Sequence, residues 1–186
     1  MTARQKHGFD NEKKIIGANG LRSAKGYTNK WDAYADIAHV GNMKYYDLPV
    51  QIKTIRKGGS VDMGDVFRHS KTDQDFILHV EFYDTKDKTK IMESHILYID
   101  IGKWKTLFEF GDYNFLRECL GRITNKHSDD IRWKKMMFEM KSRWGDRPVK
   151  LAPKRDHKKQ KRIQCTIPNS KFYNEIIPMF KKATYY

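Results

Sequence analysis

Residues 48–55, LPVQIKTI, alternate so regularly that a β-strand is the one conformation that suits them. Val50, Ile52 and Thr54 then share one face, and Gln51, Lys53 and Ile55 share the other. A second alternating stretch, 31–40 (WDAYADIAHV), puts Asp32, Tyr34, Asp36 and Ala38 on one face and Ala33, Ala35 and Ile37 on the other. The intervening GNMKYYD, with Asp47 as a turn residue, is expected to reverse the chain, which allows the two strands to lie side by side and antiparallel. Upstream, Phe9, Glu12, Lys13 and Ile16 fall at helical spacing and predict a short helix over 9–16, closed by Gly17 and the Gly20 region.

Farther along, the same periodicities predict a short helix over 61–69 after a flexible RKGGS link. Strands over 75–83 and 94–101 follow, joined by a charged DTKDKTK turn. Helices are expected over 113–122 and 128–143, the latter opened by Ser128 and two aspartates. A late strand over 162–167 and a terminal helix over 170–180, interrupted near Pro178, complete the pattern. Trp104, Leu107 and Phe108 are assigned to the core, as are Trp133, Met136, Met137 and Met140 at helical spacing. This order predicts an α/β fold with a central mixed four- to five-stranded sheet flanked by helices. The 186 residues suit a single domain over 1–186, with its core at about 9–101 and the late strand and helices added over 102–186.

The 37 Lys plus Arg outnumber the 23 Asp plus Glu, and the net charge of +14 favours a polyanionic partner. No apolar run approaches the roughly 18 residues of a spanning helix, so no membrane partner is expected. The first residues lack the apolar core of a signal peptide, which predicts a soluble intracellular protein, in cytoplasm or nucleoid, or in the nucleus of a eukaryotic or viral system. Cys119 and Cys165 form no CxxC pair and the seven His are scattered. Any metal would therefore be held by hard oxygen ligands.

Asp32 and Gln51 lie 51 − 32 = 19 positions apart, a spacing that neighbouring antiparallel strands can close. Gln51 and Lys53, at i and i+2, would then face whatever Asp32 faces, with Ile52 anchored in the core between them. These residue types suit phosphodiester hydrolysis. A carboxylate and a carbonyl oxygen can hold Mg²⁺, with Mn²⁺ as a substitute, and an ammonium group can serve the attacking water and offset charge on the phosphate. Asp36, on the same expected face as Asp32, is the alternative ligand.

On these residues, Asp32 in KWDAYAD and Gln51 and Lys53 in PVQIKT, set on a helix-strand-strand-helix-strand order, the sequence resembles the PD-(D/E)XK nuclease superfamily over about 9–101. The resemblance implies a restriction-endonuclease-like core, with Mg²⁺ held by Asp32, Gln51 and the backbone carbonyl of Ile52. It also implies Lys53 as the group serving the attacking water, and Glu12 as the helix glutamate that many members use to assist the metal through water. The second carboxylate usual in the family is Gln51 here, which can still ligate through its carbonyl but supplies no charge.

The expected activity is that of a DNA endonuclease, type II restriction-type and sequence-specific, acting on duplex DNA as a homodimer. The alternatives are a structure-specific nuclease, such as a resolvase or repair nickase, and a non-catalytic nucleic-acid-binding module. Arg56, Lys57, Arg68 and Lys71 flank the expected site and are candidate substrate clamps. The densest positive stretch, 147–162, has eight Lys or Arg against Asp156 and places Lys154, Arg155, Lys158 and Lys159 as candidate phosphate contacts.

Overall fold

Gly41 and Asn42 occupy the two central positions of a hairpin whose flanking residues, Val40 and Met43, pair directly. Gly41 has φ +59°, the backbone that a two-residue turn with glycine in its first central position demands. The hairpin joins β2 (Ala33–Val40) to β3 (Met43–Arg56), in the register Ala33↔Val50 through Val40↔Met43. The strand therefore begins at Met43, and GNMKYYD is a two-residue turn followed by strand. A Cβ at Gly41 would meet nothing within 4 Å, so the cost of a side chain there is one of backbone alone. Gly41→Val is expected to lower stability by about 1–2 kcal/mol and Gly41→Asn by less, read as a fall in urea midpoint at constant slope.

The computed structural model describes residues 3–24, 30–108, 113–122, 130–154 and 162–185. They divide into two compact units interleaved along the chain. The first comprises Met1–Gly59, Gln74–Ile101 and Ile176–Tyr186, and the second Ser60–Asp73 and Gly102–Glu175.

In the first unit, β3 runs parallel to β5 (Phe76–Tyr83), which runs antiparallel to β6 (Ile91–Ile99). Three two-residue strands extend this mixed sheet to seven. β1 (Arg22–Ser23) and β10 (Thr184–Tyr185) both pair with β2, and β9 (Lys181–Lys182) pairs with β6. The expected four to five strands thus become seven, because two-residue strands are too short to carry a period. β5, FILHVEFY, lies between two paired neighbours and is buried along most of its length on both faces, as its continuous apolar run requires. Helix α1 (Ala3–Ala18), longer than the 9–16 expected, contributes Ile15 to a core cluster with Leu21, Ala33, Ala35, Val50, Ile52 and Ile77.

Arg56–Ser60 is a hydrogen-bonded turn rather than a loose link: Gly59 N–H donates to Arg56 O at 2.9 Å, and Gly59 packs so closely on Ile55 that a Cβ would come within 2.9 Å.

The second unit carries a three-stranded antiparallel sheet in the order β4 (Val61–Asp65), β8 (Arg162–Ile167), β7 (Lys150–Lys154). The helix expected over 61–69 is therefore a strand for its first five residues, and only Val66–Ser70 (α2) is helical, capped by the Asp65 carboxylate on Phe67 N–H. Val61 and Met63 are buried while Asp62 is exposed, which is the period of a strand. Three further helices belong here: α3 (Ile101–Phe108), α4 (Tyr113–Arg122) and α5 (Asp130–Trp144). Ser128, the expected opener of α5, lies outside the described residues, as does the Trp133 side chain. Trp104, Leu107 and Phe108 are buried as expected, and so are Met136 and Met140.

The expected terminal helix is broken into Asn169–Lys171, a π-helical turn Phe172–Ile176 and Ile177–Met179, with Pro178 in the last. No helix among the described residues is long and apolar enough to cross a membrane.

Candidate active site

Asp32 sits one residue before β2 and is fixed on three sides. The buried Trp31 ring beside it packs against Phe76, with centroids 5.0 Å apart. Asp32 N–H donates to Val50 O at 3.0 Å and Asp32 O accepts from Ala24 N–H at 3.2 Å, so the main chain is held by both neighbouring segments. The carboxylate then turns back onto β3, where Oδ2 accepts from Ile52 N–H at 2.7 Å and from the Gln51 side-chain amide.

Main-chain groups two residues apart in a strand face the same edge. Since Val50 O accepts from Asp32 N–H, the Ile52 N–H and C=O also face that edge, beyond the point where β2 has ended. Ile52 itself is buried, anchoring this segment while Gln51 and Lys53 remain half-exposed.

Glu12 completes the group from α1, which is seated by the buried Asn11 and Ile15 on either side of it. Its carboxyl is pushed up to about 7, first by burial and then by the negative charge of Asp32, with Lys53 and Lys13 pulling the other way. The structure therefore brings together all four side chains that the sequence singled out, Glu12, Asp32, Gln51 and Lys53, within electrostatic reach of one another. The oxygen-bearing groups of this set are the Glu12 and Asp32 carboxylates, the Gln51 side-chain amide and the Ile52 main-chain carbonyl on the same strand edge. Among the described residues, no group of three or more His, Cys, Asp or Glu forms a metal cage, so a cation here would depend on carbonyl oxygens as well.

The alternative ligand, Asp36, is elsewhere. It lies four residues along β2, roughly 13 Å away at strand rise, exposed and paired with Arg22 at 3.1 Å. The same guanidinium binds Asp47, which has φ +54° within β3. Asp47 is thus part of the strand and not of the preceding turn.

The flanking cations are divided between the two units. Arg56 is exposed at the end of β3, and Lys57 pairs with Glu93 at 3.2 Å. Arg68 and Lys71 are exposed at α2, and Lys154 ends β7, all three in the second unit. Arg155, Lys158 and Lys159 lie outside the described residues.

Two polar groups of the first unit escaped sequence reasoning. Asp75 accepts from the Tyr98 hydroxyl and, at 2.9 Å, from Ile101 N–H, and burial followed by Asp75 and Tyr45 raises the Tyr98 hydroxyl well above its ordinary value. His79, 1% exposed, lies 3.1 Å from Ser94 Oγ, 3.5 Å from Glu81 and 3.3 Å from the Tyr185 hydroxyl. Tyr185 thereby gains a place that its position near the chain end did not suggest. No local motif marks either group, because each is assembled from separate strands. Compared with known proteins, the chain matches no family model, no curated protein and no solved structure, and its site is read from its own geometry.

Proposed function

We propose that the protein is a Mg²⁺-dependent DNA endonuclease with a restriction-endonuclease-like core, and that Asp32, Gln51, Lys53 and Glu12 form its active site. The observation that carries this reading is the pinning of the Asp32 carboxylate onto the Gln51-Ile52 segment, with Lys53 two residues farther along the same strand.

The donor set fits a hard divalent cation. Two carboxylates lie close enough for one to raise the other's affinity for a proton, and a divalent cation would relieve that same crowding of negative charge. Asp32, the carbonyl oxygens of Gln51 and Ile52 and, through water, Glu12 would hold it. Mg²⁺ at such a site supplies a water of lowered pKa and offsets charge on the phosphoryl oxygens. Asp32 keeps its orientation through Ile52 N–H, so that it does not have to reorganise when substrate arrives. Gln51 has both a donor and an acceptor end, so its N–H can hold Asp32 while its carbonyl faces the cation. Lys53 positions the attacking water and offsets the charge that gathers on the phosphate.

The excess of positive charge supports DNA as substrate, and cutting both strands of a duplex supports a second copy of the chain as partner. The test is incubation of long unmodified duplex DNA with the protein in Mg²⁺ and in EDTA. Discrete Mg²⁺-dependent fragments are expected from a sequence-specific enzyme. Cleavage confined to branched or flapped DNA would replace that subtype by a structure-specific nuclease. Salt-sensitive binding without Mg²⁺-dependent cleavage of any of these substrates would overturn the enzyme reading in favour of a binding module.

A further inference from the structure

Helix α5 carries an unusual outward surface. Phe138 is 73% exposed and Ile131, seven residues earlier and so on the same stripe of the helix, is 85% exposed. Lys134, Lys135 and Lys141 lie among them, all exposed. Beside this stripe, α5 and the β7–β8 hairpin enclose a cleft of about 480 Å³, within the roughly 300–1,000 Å³ of small-molecule sites. Met137, Phe138, Met140 and Trp144 line it from the helix and Leu151 from β7. Trp144 is held from behind by Phe115, with ring centroids 5.5 Å apart. Lys141 and Lys150 supply its positive charge, and Thr166, directly opposite Lys150 in the sheet, offers a hydroxyl.

The geometry points to a nucleotide-binding subsite in which this cleft receives an unstacked base of single-stranded DNA, with Lys141 and Lys150 on the adjoining phosphates. The chemistry is complementary in both halves. Aromatic and thioether side chains favour contact with the face of a base, and that face is available only when the base is out of a duplex. Ammonium groups at the cleft favour the phosphodiester chain that accompanies the base. A second copy of this chain suits the surface poorly, since docking it face to face would set Lys134, Lys135, Lys141 and Lys150 against their own equivalents. The inference rests only on the DNA-binding part of the function proposed above and does not require the Asp32 site to be active.

The test is equilibrium binding in EDTA, where no Mg²⁺-dependent cleavage can occur, so failure here and failure of the nuclease reading are separate results. Fluorescence anisotropy would follow three probes of about twenty nucleotides: a mixed-sequence single strand, its duplex, and a single strand with abasic sites throughout. Phe138→Ala is expected to weaken single-strand binding about tenfold while leaving the duplex and the abasic strand within about twofold. Its side chain is exposed, so folding should be unaffected. The double variant Lys141→Gln/Lys150→Gln is expected to weaken both single strands and to lower the slope of log affinity against log salt by about 1.4. Equal losses on the normal and abasic strands in Phe138→Ala, or unchanged binding in both variants, would overturn the subsite. Concentration-dependent self-association that is lost in Phe138→Ala would assign the stripe to a second copy instead and would also overturn it.

Discussion

Replacing Lys53 with alanine is expected to slow Mg²⁺-dependent cleavage of duplex DNA on the order of 10²–10⁴-fold, while duplex affinity in EDTA stays within about fivefold of wild type. The asymmetry follows from where the ammonium sits. Lys53 is half-exposed on β3, two residues past Gln51, and its charge reaches Glu12 beside Asp32. For binding it is one cation among 37 Lys and Arg, so its loss is a small fraction of the attraction to a polyanion. In the proposed chemical step it would offset the charge that develops as the phosphorus is attacked, and of the two lysines whose charge registers on Glu12 its effect is the larger.

Lys53→Arg should recover little, because a planar fork does not replace a compact point charge at one position. Single-turnover cleavage at saturating protein separates the two quantities, since affinity then drops out of the rate. A Lys53→Ala rate within a factor of a few of wild type would mean that the chemistry is done elsewhere in the molecule.

The four long strands of the first sheet and the meeting of Asp32 with Gln51 were legible in the sequence, and for one reason. A strand writes its two faces into consecutive residues, so 31–40 and 48–55 state both their conformation and which side chains can meet. What was lost depends on partners distant in sequence. Val61–Asp65 alternates as clearly as β3 does, but it is short, its register slips between Asp62 and Gly64, and its partner β8 lies about a hundred residues on. β7, KLAPK, contains a proline that argues against a central strand and is tolerated because β7 is the edge of its sheet. Helix α3 has Trp104, Leu107 and Phe108 at helical spacing, a signal present in the sequence but masked by the adjoining strand.

At the site, spacing could put Glu12 on a helix but could not say that the helix lies against Asp32, and the raised carboxyl is a property of that packing alone. The competing Asp36 lies apart from Asp32 along β2 and pairs with Arg22, a contact that no pattern announces.

That packing makes Glu12 the group whose titration should be visible. Its carboxyl holds a proton up to about pH 7 in the folded protein, against 4.5 as its ordinary value, so the fold favours the protonated form. The stability contributed by this preference is complete below about pH 4.5 and is lost as the pH rises through 7, where the folded chain must carry a partly buried charge beside Asp32.

Glu12→Gln, neutral at every pH, escapes the loss. It should exceed wild type in stability at pH 8 by about 1–2 kcal/mol, a figure reduced because solvent screens a half-exposed group, and the two should converge near pH 4.5. In thermal melts with EDTA this is a gain of roughly 3–6 °C at pH 8. Mg²⁺ should reverse the order, since an ionised Glu12 then faces a cation: wild type should rise more than Glu12→Gln on addition of Mg²⁺ at pH 8, and the difference should shrink below pH 6 as the carboxyl takes its proton. Parallel stability profiles for the two proteins in EDTA would remove Glu12 from the neighbourhood of Asp32 in solution. If the profiles separate with rising pH as expected in EDTA but Mg²⁺ shifts neither protein, the raised carboxyl belongs to its burial beside Asp32 and not to a metal site.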